Sequence, residues 1–576
     1  MSHDPKRIAR ERQLDWLLEE ALDGAGEVAG SRPVRARAST SMPVWLAAAL
    51  VVLAVGVAFG VFALRDRRGG EDRNAAEAGR SRGAVDLPRV DLPNSDPPSE
   101  EPWHHCRGSD QLGDVPAGVT SLKCYGFDDE ALARLARFAK LERLDLSGTS
   151  FDAASGLFLE PPITDAGVAH LCGLTSLRWL SLRGCLDVTG LTLGKLGQIP
   201  QLESLDLSGT GVVSKGISQL PKLDKLRTLE LVGCKDFDGS SLADIATIRG
   251  LRELHLQGCP TVTADDVMQL AKLRELQLLD LRDCRGSLDR QRLVLTDVTN
   301  EQDEAAAPVG DGVGITDAAV AMLSDLPLRE LKLGGCRALT NGVGAGLQRM
   351  SKLEALGLGS LPKTSAALLE QLPTGLLALS VSGNRQFDRE GLKQLARFPK
   401  LLTLDLSGLP KVDDDVLTHV LTGMQLQSLR LDGISTMALV PASAAETSPR
   451  LSSAIGAALA KQRELHTLHA AFGGWLDADC AMQLAKLPKL VRLEAPGNPV
   501  DAAACTALAR SPSLKRLILY GNETMTLDAV RALEPLSLEY LHLAGTKLSD
   551  DDVRKLTKTW QQATVVLPNG KTFLPR

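Results

Sequence analysis

Residues 202–210 read LESLDLSGT, and the same nine-residue phrase returns along most of the chain. It stands as LERLDLSGT at 141–149, LRWLSLRGC at 177–185, LRTLELVGC at 226–234 and LRELHLQGC at 251–259. It continues as LQLLDLRDC at 276–284, LRELKLGGC at 328–336, LEALGLGSL at 353–361, LLALSVSGN at 376–384, LLTLDLSGL at 401–409 and LQSLRLDGI at 426–434. The last full copies are LHTLHAAFG at 465–473, LVRLEAPGN at 490–498, LKRLILYGN at 514–522 and LEYLHLAGT at 538–546. A degenerate first copy, VTSLKCYGF, occupies 119–127, and a truncated last strand is visible in ATVVLPNG at 563–570. Most copies start 23 to 25 residues after the one before. A single L-x-x-L-x-L decides nothing; a long series in phase means one supersecondary unit stacked on itself. Alternating apolar and polar residues at positions three to six predict a short strand. Segments between copies, such as ITDAGVAHLCGL, ITDAAVAMLSDL and LADIATIRG, read as short helices.

This pattern resembles the leucine-rich-repeat family, in its cysteine-containing and ribonuclease-inhibitor-like branch, and of the membrane-anchored bacterial type. The resemblance covers about four-fifths of the chain. It implies an α/β solenoid, a horseshoe with parallel strands inside and short helices outside. The Leu positions point inward and stack on the next repeat, because no repeat buries its apolar face alone. The ninth position must satisfy turn backbone groups, which the amides of Asn384, Asn498 and Asn522 can do. Cys185, Cys234, Cys259, Cys284 and Cys336 share that column, so phase assigns them as small buried residues. Cys106 and Cys124 are left open as a pair, for an extracytoplasmic domain.

The third and fifth positions are expected to line an exposed strand face. The fifth-position column is acidic from Asp145 through Asp206 and Glu230 to Asp280, and nearly featureless around Ala355, Gly357 and Ala378. The far end of the face gathers His469, Arg492, Glu494, Lys515, Arg516, Tyr540 and His542, which is the candidate partner-binding patch. Tyr and Arg are common interface anchors. His469 and His542 are three repeats apart, roughly 14 Å at ~4.8 Å per strand, too far for a shared metal ion.

Three insertions follow a strand and precede a helix, at 151–162, 285–314 and 435–450. All should emerge on one rim. Asp289, Asp297, Glu301, Asp303, Glu304 and Asp311 crowd the second insertion but lack the spacing of an EF-hand loop. His104, His105 and Cys106 are not a chelate by themselves, and the glycines of GVGAG (342–346) read as structural.

Residues 43–64, PVWLAAALVVLAVGVAFGVFAL, carry no charge and can span a bilayer as a single helix. Residues 1–42 form an N-terminal tail with one amphipathic helix near 5–22. Its RQLDWLLEEALDG resembles the tails of bacterial single-pass regulators of the anti-sigma type, without a zinc-binding His/Cys set. Residues 65–115 read as a Pro- and charge-rich linker, and 116–576 as the repeat domain. Arg65, Arg67, Arg68, Arg73, Arg80 and Arg82 follow the span, and by count they favour a cytoplasmic repeat domain. That rule weakens before a large domain. The regulator resemblance and the Pro-rich stalk favour an extracytoplasmic one.

The net charge of −6 argues against a nucleic-acid partner held by excess basic charge. Aromatics make up 3% of 576 residues, so the core must be built from Leu, Val, Ala and Ile. Ten cysteines are too few for a disulfide-stapled scaffold. No nucleophile elbow, H-E-x-x-H, Walker loop or kinase signature is visible. The sequence therefore predicts a non-catalytic, cofactor-free, single-pass membrane protein that binds a protein or peptide. The alternatives are a transducer whose tail regulates a cytoplasmic partner, and a membrane-tethered cytoplasmic scaffold.

Overall fold

Most of the nine-residue phrases become one short strand because positions four and six are buried, mostly as leucines, and alternate with mostly polar positions three and five. A computed structural model describes residues 103–148, 150–152, 157–159, 161–285, 314–434, 451–556, 560, 563–570 and 572–573. These fall into two compact units, one ending at Leu451 and one beginning at Ser452. The tail, the 43–64 span, most of the linker and residues 286–313 and 435–450 of the insertions lie outside the described residues. Among the described residues, no helix is long and apolar enough to cross a membrane.

In the first unit the strands pair in parallel from His104–Arg107 through Ser121–Tyr125 and Arg143–Gly148 to Ser428–Arg430. Register is kept position for position: Asp145 faces Ser181, Ser181 faces Asp206, and Asp206 faces Glu230. It holds across the second insertion, where Leu278–Asp280 pairs directly with Glu330–Lys332. In the second unit Thr467–His469, Arg492–Glu494, Arg516–Ile518, Tyr540–His542 and Thr564–Val566 form a parallel ladder. Thr572–Phe573 closes its end antiparallel. One strand and one short helix per repeat, in constant register, is the architecture of a leucine-rich-repeat solenoid.

Two features depart from the sequence reading. The linker, drawn to residue 115, ends no later than Trp103. His104–Arg107 is a strand, and Ser109–Asp114 is a 3-10 helix that buries Leu112. The reason is that Cys106 pairs with Cys124 in register and is itself fully buried, adding a rung before the degenerate copy. Both thiols are free. At the first insertion, to which the sequence reading assigned no element, Ser150–Asp152 and Leu157–Leu159 pair as an antiparallel hairpin.

The ninth column joins repeat to repeat. The Cys234 thiol donates to the Leu207 carbonyl at 3.1 Å, Cys259 to Leu231 at 3.0 Å, Cys284 to Leu256 at 3.1 Å and Cys336 to Leu281 at 3.2 Å. Every acceptor is the sixth position of the preceding repeat. Asn384 and Asn522 reach the same carbonyl, on Leu358 and Ala495, and add a bond to their own repeat. Burial pushes the Cys234 thiol up to about 11, which keeps it protonated and donating.

The eighth position is left-handed in most described repeats. Glycine supplies it at Gly184, Gly209, Gly258 and Gly521, with φ between 64° and 73°. Asp283, Ser360 and Phe472 hold φ of 55–57° without being glycine. On the other side of many repeats, an Asp or Thr caps the short helix: Thr164, Asp388, Asp413, Asp477 and Asp501 each accept a backbone N–H. The next residue can reach the following repeat, as Asp129 does to Thr164 and Asp165 to Gly190, each at 2.9 Å. The GVGAG run lies in the helix Val343–Leu347, where a Cβ on Gly346 would sit 2.9 Å from Ala321 Cα.

Two substitutions of opposite sign follow. Asn522→Ala strands two buried carbonyls and should cost roughly 1–3 kcal/mol in chemical unfolding. Ser360→Gly removes left-handed strain and should raise stability by about 1 kcal/mol in the same measurement.

Candidate functional site

The strand face differs from the exposed face expected of it. Asp145, Ser181, Asp206 and Asp280 are at most 2% exposed, and Lys332 and Glu494 are also buried. Side chains spaced at a strand separation cover one another along the ladder, and long seventh-position residues lie across them. Arg183 illustrates this: its guanidinium spans Asp206 at 2.8 Å and Glu230 at 3.1 Å.

The acidic column of the first unit is therefore neutralised and structural. Lys123, in the degenerate first copy, pairs with Asp145. Arg282 holds Asp280 at 2.6 Å. A backbone rule recurs inside this column: the fifth-position carboxylate accepts the N–H of position seven, at Ser147, Ser208, Arg282 and Ser407. Burial alone would raise the Asp145 carboxyl, but the Lys123 charge and hydrogen bond and the two bonds from Ser147 hold it below its ordinary value. Burial opposes ionisation at Asp280 too, yet Arg282, Lys332 and His255 bring it to about 2. Sequence reasoning counted the acids and missed the partners. The signal was present as the repeated D-L-S or D-L-R at positions five to seven.

The seven candidate residues in the second unit separate into three groups. His469, Arg492 and Glu494 form one: His469 Nδ1 is 3.1 Å from Glu494 Oε2, and Arg492 closes on Glu494 Oε1. Burial would raise Glu494, but the hydrogen bond and charge of His469 and the charge of Arg492 keep it low. Arg516, Tyr540 and His542 form the second. The Arg516 guanidinium lies over the Tyr540 ring at 5.1 Å, and the His542 ring is 6.2 Å from Tyr540 and 5.3 Å from Tyr520. Ile518, Tyr540 and Val566 make an apolar cluster with Tyr520 and Ala544 at its edge. Lys515 stands apart. It occupies position two, before the strand, and pairs with Glu539 at 2.6 Å with both side chains about half exposed.

Two neighbours were missed. Tyr520 joins the aromatic group from position seven, a column the sequence reading did not score. Phe472 is 39% exposed with φ 55° in the glycine column. Its signal was the replacement of the column's glycine by an aromatic. In the first unit, Trp103 meets Trp179 edge-on at 5.6 Å, with Arg143 over the Trp103 ring at 4.1 Å. No group of three metal-ligating side chains is present among the described residues.

No protein-family model matches the sequence, and no curated protein matches it. Among solved structures the chain is similar to a leucine-rich-repeat protein of Leptospira interrogans, at 19% identity and TM-score 0.39, covering 75% of this chain and 98% of the other. It is similar to an internalin of Listeria monocytogenes at 16% identity and TM-score 0.34, covering 68% and 88%. It is also similar to the Rad7 and Elc1 complex of yeast at 16% identity and TM-score 0.42, covering 69% and 81%. The fold itself is read from the strand ladder described above.

The His542 environment has a pH signature. Burial lowers the imidazole to about 4, and the Glu494 charge only partly opposes this. An unfolded His titrates near 6.5, so the unfolded chain binds more protons between the two values. The contribution is full above pH 6.5 and is lost as pH falls to about 4. His542→Phe should flatten the pH dependence of unfolding free energy between those limits, by on the order of 3 kcal/mol. An unchanged slope in that window would place the protonation elsewhere.

Proposed function

We propose that the chain is a non-catalytic, membrane-anchored repeat protein that binds a protein or peptide segment on the strand face of its second unit. We place it with the bacterial, cysteine-containing type that its repeats resemble. The observation that carries the binding reading is the Arg, Tyr and His patch built by Arg492, Arg516, Tyr540 and His542 on successive strands. Arg and Tyr on a rigid ladder lose little entropy on binding and are frequent hot spots. The first unit's charged column is satisfied internally and offers less. The patch holds no nucleophile and base pair among the described residues, and this reading asks for no cofactor.

The 43–64 span supplies the anchor, and the repeats face the extracytoplasmic side. A second reading, a cytoplasmic scaffold, draws on the six arginines that follow the span. An impermeant protease applied to intact cells, with tags on both termini, separates the two. Loss of the repeats with survival of the N-terminal tag is the expected result. Protection of the repeats until the membrane is breached would establish the scaffold orientation instead.

A further inference from the structure

Arg516 differs from the other cations beside these strands. Lys489 pairs with Glu464 at 2.5 Å, Arg492 with Glu494, and Lys515 with Glu539 at 2.6 Å. Arg516 has no carboxylate partner among the described residues. Its Nε is buried and makes no hydrogen bond. Its in-register neighbours are Arg492 on one side and Tyr540 on the other. Like charges in adjacent ladder positions destabilise a sheet, and Glu494 is already engaged by His469 and Arg492. The Tyr540 ring steadies the cation from its face. It leaves the edge of the guanidinium, where the donors lie, without an acceptor.

We propose that Arg516 receives a carboxylate of an extended acidic–apolar segment of a protein partner, whose adjoining apolar side chain packs on the partly buried Tyr520 and Ala544. This rests on the binding reading above and names the chemistry of the partner. The charges fit a monoanion. One cation is uncompensated, while the Glu494 carboxylate on the neighbouring strand would repel the second charge of a phosphate. Tyr520 and Ala544, packed on the buried cluster next along the strand face and only partly buried themselves, give the segment a second foothold. A fork of donors on a planar group also suits a carboxylate better than a lysine ammonium would.

The test is a selection of displayed random peptides against the purified full-length chain in detergent micelles. Selected peptides are remade with Glu, Gln or phosphoserine at the acidic position. They are measured against wild type, Arg516→Gln, Arg516→Lys and the control Lys489→Gln. Selected peptides should pair an Asp or Glu with an apolar residue. Peptide Glu→Gln and chain Arg516→Gln should each weaken binding about tenfold or more, and together by little more than either alone. Arg516→Lys should not restore binding, and Lys489→Gln should leave it unchanged. Circular dichroism melts establish that each variant is folded; should Arg516→Gln fail to fold, the peptide series on wild type decides. Peptides without an acid, equal binding to Arg516→Gln, or tighter binding of phosphoserine would overturn the carboxylate assignment and leave the binding reading standing. The absence of any selected peptide would overturn both.

Discussion

In many of the described repeats, position nine of the following repeat supplies the donor for the sixth-position carbonyl. Cys234, Cys259, Cys284 and Cys336 do so with a thiol, and Asn384, Asn498 and Asn522 with an amide. Together with the stacked leucines, this bond makes each repeat the partner of its neighbour. Constant register then follows, and register is what aligns equivalent side chains in columns. The strand face is a consequence of that coupling. So is the burial of charges along it, because in-register side chains shield one another from water.

Much of the fold was legible because a strict repeat carries its own proof. Positions one, four and six could be read from Leu alone, and the register across the second insertion from phase alone. The start of the array was not legible. His104–Arg107 carries no L-x-x-L-x-L, and only pairing with Ser121–Tyr125 reveals it as a rung. The columns were harder than the rows. Fifth-position acids look like a binding surface when counted by themselves. Their role depends on Lys123, Arg183 and Arg282, which lie in other repeats or other positions.

The candidate patch shows the same division. Arg492, Glu494 and His469 could be placed near each other from position three and five, and the structure joins them through hydrogen bonds. Lys515 was one position too early and lies outside the group, with its own partner. Tyr520 needed the seventh column. The distinction between a satisfied cation such as Arg492 and an unsatisfied one such as Arg516 is a matter of tenths of a nanometre and has no sequence signature. The proposed carboxylate preference rests on that difference.

The central claim is that partners meet the strand face of the second unit and not the outer helices. Photo-crosslinking in intact cells tests it directly, with a photoreactive residue at Tyr520 on the strand face or at the exposed Met482 on the outer helix Ala478–Leu484. Light-dependent protein adducts from position 520 and none from 482 are the result this account predicts. Adducts confined to position 482 would contradict it.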